Sequence, residues 1–221
     1  MTLTVSPKDI IARRVAKELN YGEVVNLGIG TPTRVSNYIS PEMNITLQSE
    51  NGLVGMGAVA QPGEEIPDLT NAGGQFVTIV PGAAFFDTAM SFVIIRGGHV
   101  DVTVLGALEV DERGYLANYW IPGRGGPGMG GGMDLVVGAK RVIVAMEHTR
   151  RDGEPKIVPR CSLPITAKRM VDLIVTDIAV IRPTVEGLVL REIAPGLTVD
   201  EILAKTGACL IVPDDVGEMV A

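Results

Sequence analysis

The chain has 221 residues, 46% of them hydrophobic and only 4% aromatic, with a formal net charge of −7. That is enough apolar material for one large core of Val, Ile, Leu, Ala and Met, a composition that suits parallel strands covered by helices. The acidic balance argues against nucleic acid as the main partner, because a phosphate backbone needs a basic face.

The predicted elements alternate between helix and strand. "SPKDIIARRVAKELNYG" opens with Ser6 as N-cap and Pro7 at the first helical position, carries Ile10, Ile11, Val15 and Leu19 on one face, and stops at Gly22. "EVVNLGIG" reads as a strand running into a glycine bend, "TPTRVSNYI" as a short helix and "ITLQSE" as the next strand. "FVTIVPG", "VDVTVLGAL" and "KRVIVAME" are further aliphatic strands, and "FFDTAMSFVIIRGG" between the first two is a helix closed by Gly97 and Gly98. "RRDGEPKIVPR" reads as a long polar surface loop. "TVDEILAKTG" has the Thr198–Glu201 spacing of a capping box. Alternation of this kind predicts an α/β fold, a largely parallel open sheet with helices on both faces, in one domain spanning 1–221.

Cys161 and Cys209 are far apart and form neither a disulfide framework nor a zinc motif. His99 and His148 lack ligand spacing and read as structural or surface residues, so no metal site is expected. The start "MTLTVSPKDI" is not a leader pattern, and no apolar run reaches about 18 residues. The expected setting is cytoplasmic, without a membrane.

Three glycine-containing stretches could carry chemistry. "NLGIGTPT" at 26–33 mimics the opening of a dinucleotide-binding unit, and Glu50 falls where that unit places a ribose-binding acid. On that reading the chain is an NAD-dependent oxidoreductase. Thr33, however, stands where the third glycine belongs, and a tight strand-to-helix connection without a ligand is the alternative. "PGRGGPGMGGGMD" at 122–134 has seven glycines among the ten residues from Gly123 to Gly132. It reads either as a flexible linker or as backbone that must approach a phosphate or an oxyanion closely. "QSENG" puts Glu50 at the end of a strand, as a helix cap, an ion-pair partner or a catalytic carboxylate. The carboxyl end of a parallel strand is where ligands bind in open sheets.

"NLGIGTPT", "LQSENGLVGMG", "NAGGQ", "PGAAFFDTAMSF", "IRGGHVD", "GMGGGMDL" and "MEHT" occur in the order seen in β (B) subunits of family I CoA-transferases of acetate and 3-oxoacids. The chain resembles that family from about Lys8 to Val212. The resemblance implies a CoA-transferase-like, Rossmann-like variant of the α/β fold. It also implies that Glu50 of the Ser-Glu-Asn-Gly signature is the nucleophile, with coenzyme A as substrate and covalent intermediate and no permanently bound cofactor.

The same resemblance makes Gly128, Gly130 and Gly131 candidates for oxyanion donors or the CoA loop. Asn26, Gly28, Gly30, Asn51, Gly52 and Arg124 become CoA-binding candidates. It implies short-chain acyl-CoA and carboxylic acid substrates and an α-subunit partner in an α2β2 heterotetramer, because no "GGFG"-type loop of the α subunit is found here. Two departures stand out: "RGGP" replaces a lysine and bulkier residues, and Gly132 stands where alanine is usual. A non-catalytic regulatory member of similar fold is the remaining alternative.

Overall fold

The computed structural model describes residues 5–123 and 128–220. Helix α1 (Pro7–Ala16) starts as its sequence dictates, with the Ser6 hydroxyl accepting from the Asp9 amide at 3.2 Å. It ends well before Gly22, because the Asn20 amide bonds to the Glu23 carboxylate at 2.8 Å and a local turn takes over. Strand β1 (Val24–Leu27) follows, and then Pro32–Tyr38, expected as a short helix, winds as a 3₁₀ helix. There the Thr33 and Ser36 hydroxyls bond back to the carbonyls of Gly30 and Thr33, which favours the tighter turn.

Next come β2 (Thr46–Ser49), β3 (Leu53–Val59), β4 (Val77–Phe85) and α2 (Thr88–Arg96). The α2 helix is capped by Asp87, which accepts from the Met90 amide, and it stops at Gly97. The middle of the chain supplies β5 (Val102–Leu105), β6 (Glu109–Asp111), β7 (Leu116–Ala117), α3 (Gly132–Gly138), β8 (Arg141–Ala145) and β9 (Ile157–Val158). The last part holds β10 (Leu173–Val175), β11 (Ala179–Thr184), β12 (Gly187–Ile193), α4 (Val199–Lys205) with its complete capping box, β13 (Leu210–Ile211) and β14 (Gly217–Glu218).

The main sheet runs β13-β12-β11-β10-β8-β5-β1-β2-β3-β4, with β14 also paired to β12. Its centre, from β10 to β2, is parallel, with Val25 facing Leu47 on one side and Val102 on the other. The expected α/β sheet is therefore present. Its flanks turn antiparallel where β2–β3, β10–β11 and β11–β12 are joined by turns too short for a crossover. The "RRDGEPKIVPR" segment is more than a surface loop. Thr149 bridges Pro155, and Ile157 is fully buried in β9, which runs parallel to β6 in a second, three-stranded sheet.

Alternation along the strands divides the core in two. Val142, Val144 and Ile174 pack with Ile95, Leu135, Val136 and Ile202 from α2, α3 and α4. Val102, Val104, Ile143 and Val175 point the other way, onto Ile11, Ala12 and Val15 of α1 and Val35. Helices thus cover both faces, and each fully buried Leu or Ile adds on the order of 2 kcal/mol as an upper estimate. The β4 edge is different: Ile79, Val80, Pro81 and Gly82 are consecutive, exposed and uncharged.

Candidate active site

Glu50 stands one residue beyond the carboxyl end of the parallel strand β2, on the turn that leads into β3. Three bonds hold that turn. The Gly52 amide donates to the Ser49 carbonyl at 3.0 Å, the Ala72 amide to the Ser49 hydroxyl at 3.0 Å, and the Asn51 side chain to the Thr70 carbonyl at 2.7 Å. Gly52 adopts φ of 119°, and a β-carbon there would lie 2.0 Å from the Phe86 carbonyl oxygen. Only glycine fits. The turn is pinned from several sides, so the Glu50 side chain has a fixed base.

Across from it, Gly131 caps the start of α3 and is buried. A β-carbon on Gly131 would be 3.1 Å from the Glu50 carboxyl carbon, so the glycine backbone lies directly against the acid. Burial pushes the Glu50 carboxyl above the usual glutamate range, opposed by the Gly131 backbone N–H and the Asn26 side chain. Asn26 belongs to a buried chain of polar groups. Its amide donates to the Gln48 side chain at 2.8 Å, and Gln48 in turn donates to Ser91 at 3.0 Å.

Glu50 opens onto a cleft of about 960 Å³. Gly28, Gly30, Gly128, Gly130 and Gly131 line the same cleft, as do Asn118, Glu147, Arg150 and Lys156. The structure therefore brings the two glycine stretches and the acid together although they are far apart in sequence. Asn26, Asn51 and Gly52 are not on the cleft wall. Asn26 is buried behind Glu50, between that acid and Gln48, Asn51 is tied to Thr70, and Gly52 is packed against Phe86. Arg124 lies outside the described residues. The Gly28 amide is already engaged with the Val104 carbonyl at 2.8 Å, so what that residue offers the cleft is close approach rather than a donor.

Lys156 and Glu147 escaped the sequence reading. Glu147 ends the aliphatic run "KRVIVAME" and falls in the family segment "MEHT", and Lys156 lies in the polar stretch "RRDGEPKIVPR", so nothing local marks either as lining the cleft. His148, by contrast, is sealed in the core, with its ring nitrogens 3.0 and 2.9 Å from the Thr176 and Thr206 hydroxyls.

The profile of the coenzyme A transferase family matches residues 8–205. The chain belongs to the coenzyme A transferase family. It is 52% identical over 215 residues to the β subunit of the acetate CoA-transferase of Haemophilus influenzae, covering 97% of this chain and 96% of the relative. It is 50% identical over 201 residues to the B subunit of the succinyl-CoA:3-ketoacid coenzyme A transferase of Helicobacter pylori, covering 91% and 97%. These relatives identify it as a family I CoA-transferase chain of the B-subunit type. Among solved structures, an acyl-CoA transferase apoenzyme from Escherichia coli O157:H7 superimposes with a TM-score of 0.78 at 23% identity. That match takes in all of this chain but 44% of the other, so this CoA-transferase chain spans less than half of that fold. Among the described residues, no helix of this CoA-transferase chain is long and apolar enough to cross a membrane.

Proposed function

We propose that this chain is the nucleophile-bearing half of an enzyme that moves CoA between a short-chain acyl-CoA or 3-oxoacyl-CoA and a free carboxylic acid. The observation that carries the reading is Glu50, half-buried on a pinned turn, facing a large cleft with the Gly131 backbone against its carboxylate. The named activities of the acetate and succinyl-CoA:3-ketoacid relatives support the acyl class.

The chemistry needs a carboxylate. Glu50 attacks the thioester carbonyl, the C–S bond breaks, and an acyl–glutamyl anhydride and CoA thiolate result. The thiolate attacks the glutamyl carbonyl, the acyl carboxylate leaves as free acid, and a glutamyl–CoA thioester remains. An acceptor carboxylate then attacks that thioester and expels the thiolate. The thiolate attacks the acceptor's acyl carbon, and Glu50 departs as carboxylate. One thioester is consumed and one is regenerated in each half, so the exchange is close to thermoneutral, and the covalent glutamyl–CoA intermediate between the halves makes it ping-pong. Partial desolvation makes the carboxylate a stronger nucleophile than one in water. Backbone N–H groups of Gly128, Gly130 and Gly131 are the candidates to receive the developing oxyanion, where a well-aimed donor is worth roughly 2.7–4 kcal/mol in other enzymes.

The reading includes an α subunit that completes the site, which the relatives' naming as a β or B subunit supports, in the α2β2 assembly that the family resemblance implies. Borohydride tests the nucleophile. The assembled enzyme given acyl-CoA without acceptor should be inactivated, with the reduced residue mapping to Glu50. Glu50→Ala should abolish labelling and transfer, and Glu50→Asp should lose on the order of 100-fold, since a shift of about 1 Å misplaces the carboxylate. Labelling elsewhere, or transfer surviving in Glu50→Ala, would refute the assignment.

A further inference from the structure

Beyond β8 the chain emerges at the carboxyl end of the sheet with Met146, Glu147 and His148, then doubles back. The Arg150 amide donates to the Glu154 carbonyl at 2.7 Å, and the Lys156 amide to the His148 carbonyl at 3.1 Å. The Lys156 carbonyl accepts from the Val110 amide of β6 at 2.9 Å. Lys156 is therefore held through its backbone on both sides. A buried carboxylate braces the surrounding loop. Glu109, 1% exposed, accepts from the Arg150 guanidinium, the Ser162 amide and hydroxyl, and the Leu163 amide.

The Lys156 side chain lines the same cleft as Glu50 and is half-buried. Among the described residues it makes no ion pair, whereas Arg150 on the same wall is committed to Glu109. Among the described residues no buried side-chain nitrogen lacks a partner, so the Lys156 ammonium keeps solvent access beside the cleft that Lys156 lines. Glu147 and Asp177 face it from the segment just beyond β8 and from the β10–β11 turn, and Arg150 from its own hairpin, but neither acid comes within ion-pair distance. Burial pulls the ammonium down to about 8, against the pull of those two acids. A half-buried cation on a braced hairpin, with no ion pair among the described residues, is placed to receive an anion from a ligand.

We propose that Lys156 binds an anionic oxygen group of the substrate remote from the thioester carbonyl, a phosphate of CoA or the distal carboxylate of a dicarboxylic acyl group. The inference rests on the transferase reading above. The cleft supports it, because about 960 Å³ is far more space than a short acyl group fills.

The test uses the complex of this chain with its α subunit, comparing wild type, Lys156→Met and Lys156→Arg with acetyl-CoA and succinyl-CoA as donors. Lys156→Met should raise KM at least tenfold for one or both donors while kcat changes less than threefold, and Lys156→Arg should restore most of the loss. A rise for both donors, with weaker calorimetric binding of CoA itself, identifies the phosphate. A rise for succinyl-CoA alone identifies the carboxylate. The wild-type KM should climb above about pH 8, and the climb should vanish in Lys156→Arg, whose charge persists. Unchanged KM and CoA affinity in a normally melting Lys156→Met complex would overturn the inference while leaving the transferase reading intact. A wild-type complex that transfers no CoA would refute that reading instead. The calorimetric titration would still judge Lys156 in that case, and equal CoA affinity in wild type and variant would sink it.

Discussion

The Gly131 backbone and the Glu50 carboxylate are separated by less than the thickness of a methyl group: a β-carbon on Gly131 would stand 3.1, 3.3 and 3.4 Å from the carboxyl carbon and its two oxygens. Gly131 itself has φ of −82°, so alanine meets no backbone strain there. Gly131→Ala should therefore fold with little change in melting yet lose roughly 10- to 100-fold in kcat, because the carboxylate is displaced from its line of attack. Thermal unfolding beside steady-state kinetics checks both halves of that expectation.

Asn26 sets the charge state of the same acid from behind. Its side chain lowers the Glu50 pKa against the upward push of burial. Removing it in Asn26→Ala should move the acid limb of kcat/KM to higher pH, since the nucleophile then stays protonated further up the scale. It should also destabilise the chain by about 1–3 kcal/mol, because the buried Gln48 side-chain carbonyl oxygen loses its donor. A pH–rate profile whose acid limb stays in place would show that Asn26 does not act on Glu50.

Gly52 is a matter of folding rather than chemistry. A β-carbon there would sit 2.0 Å from the Phe86 carbonyl, at a φ of 119° that side chains avoid. Gly52→Ala should lower the melting temperature sharply and reduce the soluble yield. Recovery of a normally melting protein would contradict the packing.

His148 predicts an acid-dependent loss of stability. Burial holds it down to about 4 in the folded chain against 6.5 when unfolded. The folded state therefore takes up fewer protons, and stability present above pH 6.5 is lost as pH falls toward 4, by roughly 3 kcal/mol. In urea titrations at about pH 7.5 and about pH 4.5, on either side of most of that transition, His148→Gln should lose less between the two conditions than wild type does.

Much of this was legible in the sequence, for physical reasons. "VDVTVLGAL" and "KRVIVAME" are continuous apolar runs because both faces of a central parallel strand are buried. The Ser6 and Thr198 caps are local chemistry, and Ser-Glu-Asn-Gly points to Glu50 through the family resemblance. The antiparallel flanks were not legible, because they follow from connection geometry rather than from composition. Nor was Lys156, whose surroundings at Val110, His148 and Glu147 are assembled by the sheet while its own neighbours spell a solvated loop. The network through Asn26, Gln48 and Ser91 joins residues from three separate segments, so its members look like ordinary polar residues until the strands align.

The uncharged β4 edge bears on how the chain behaves on its own. Among the described residues its outer backbone groups have no strand neighbour in the sheet, and Ile79 to Gly82 offer no lysine or glutamate to repel a second strand. Concentrated or warmed preparations of the lone chain should stick edge to edge sooner than they unfold reversibly. An apparent melting point would then shift with scan rate and concentration, and shelf life, more than equilibrium stability, would measure the chain's durability.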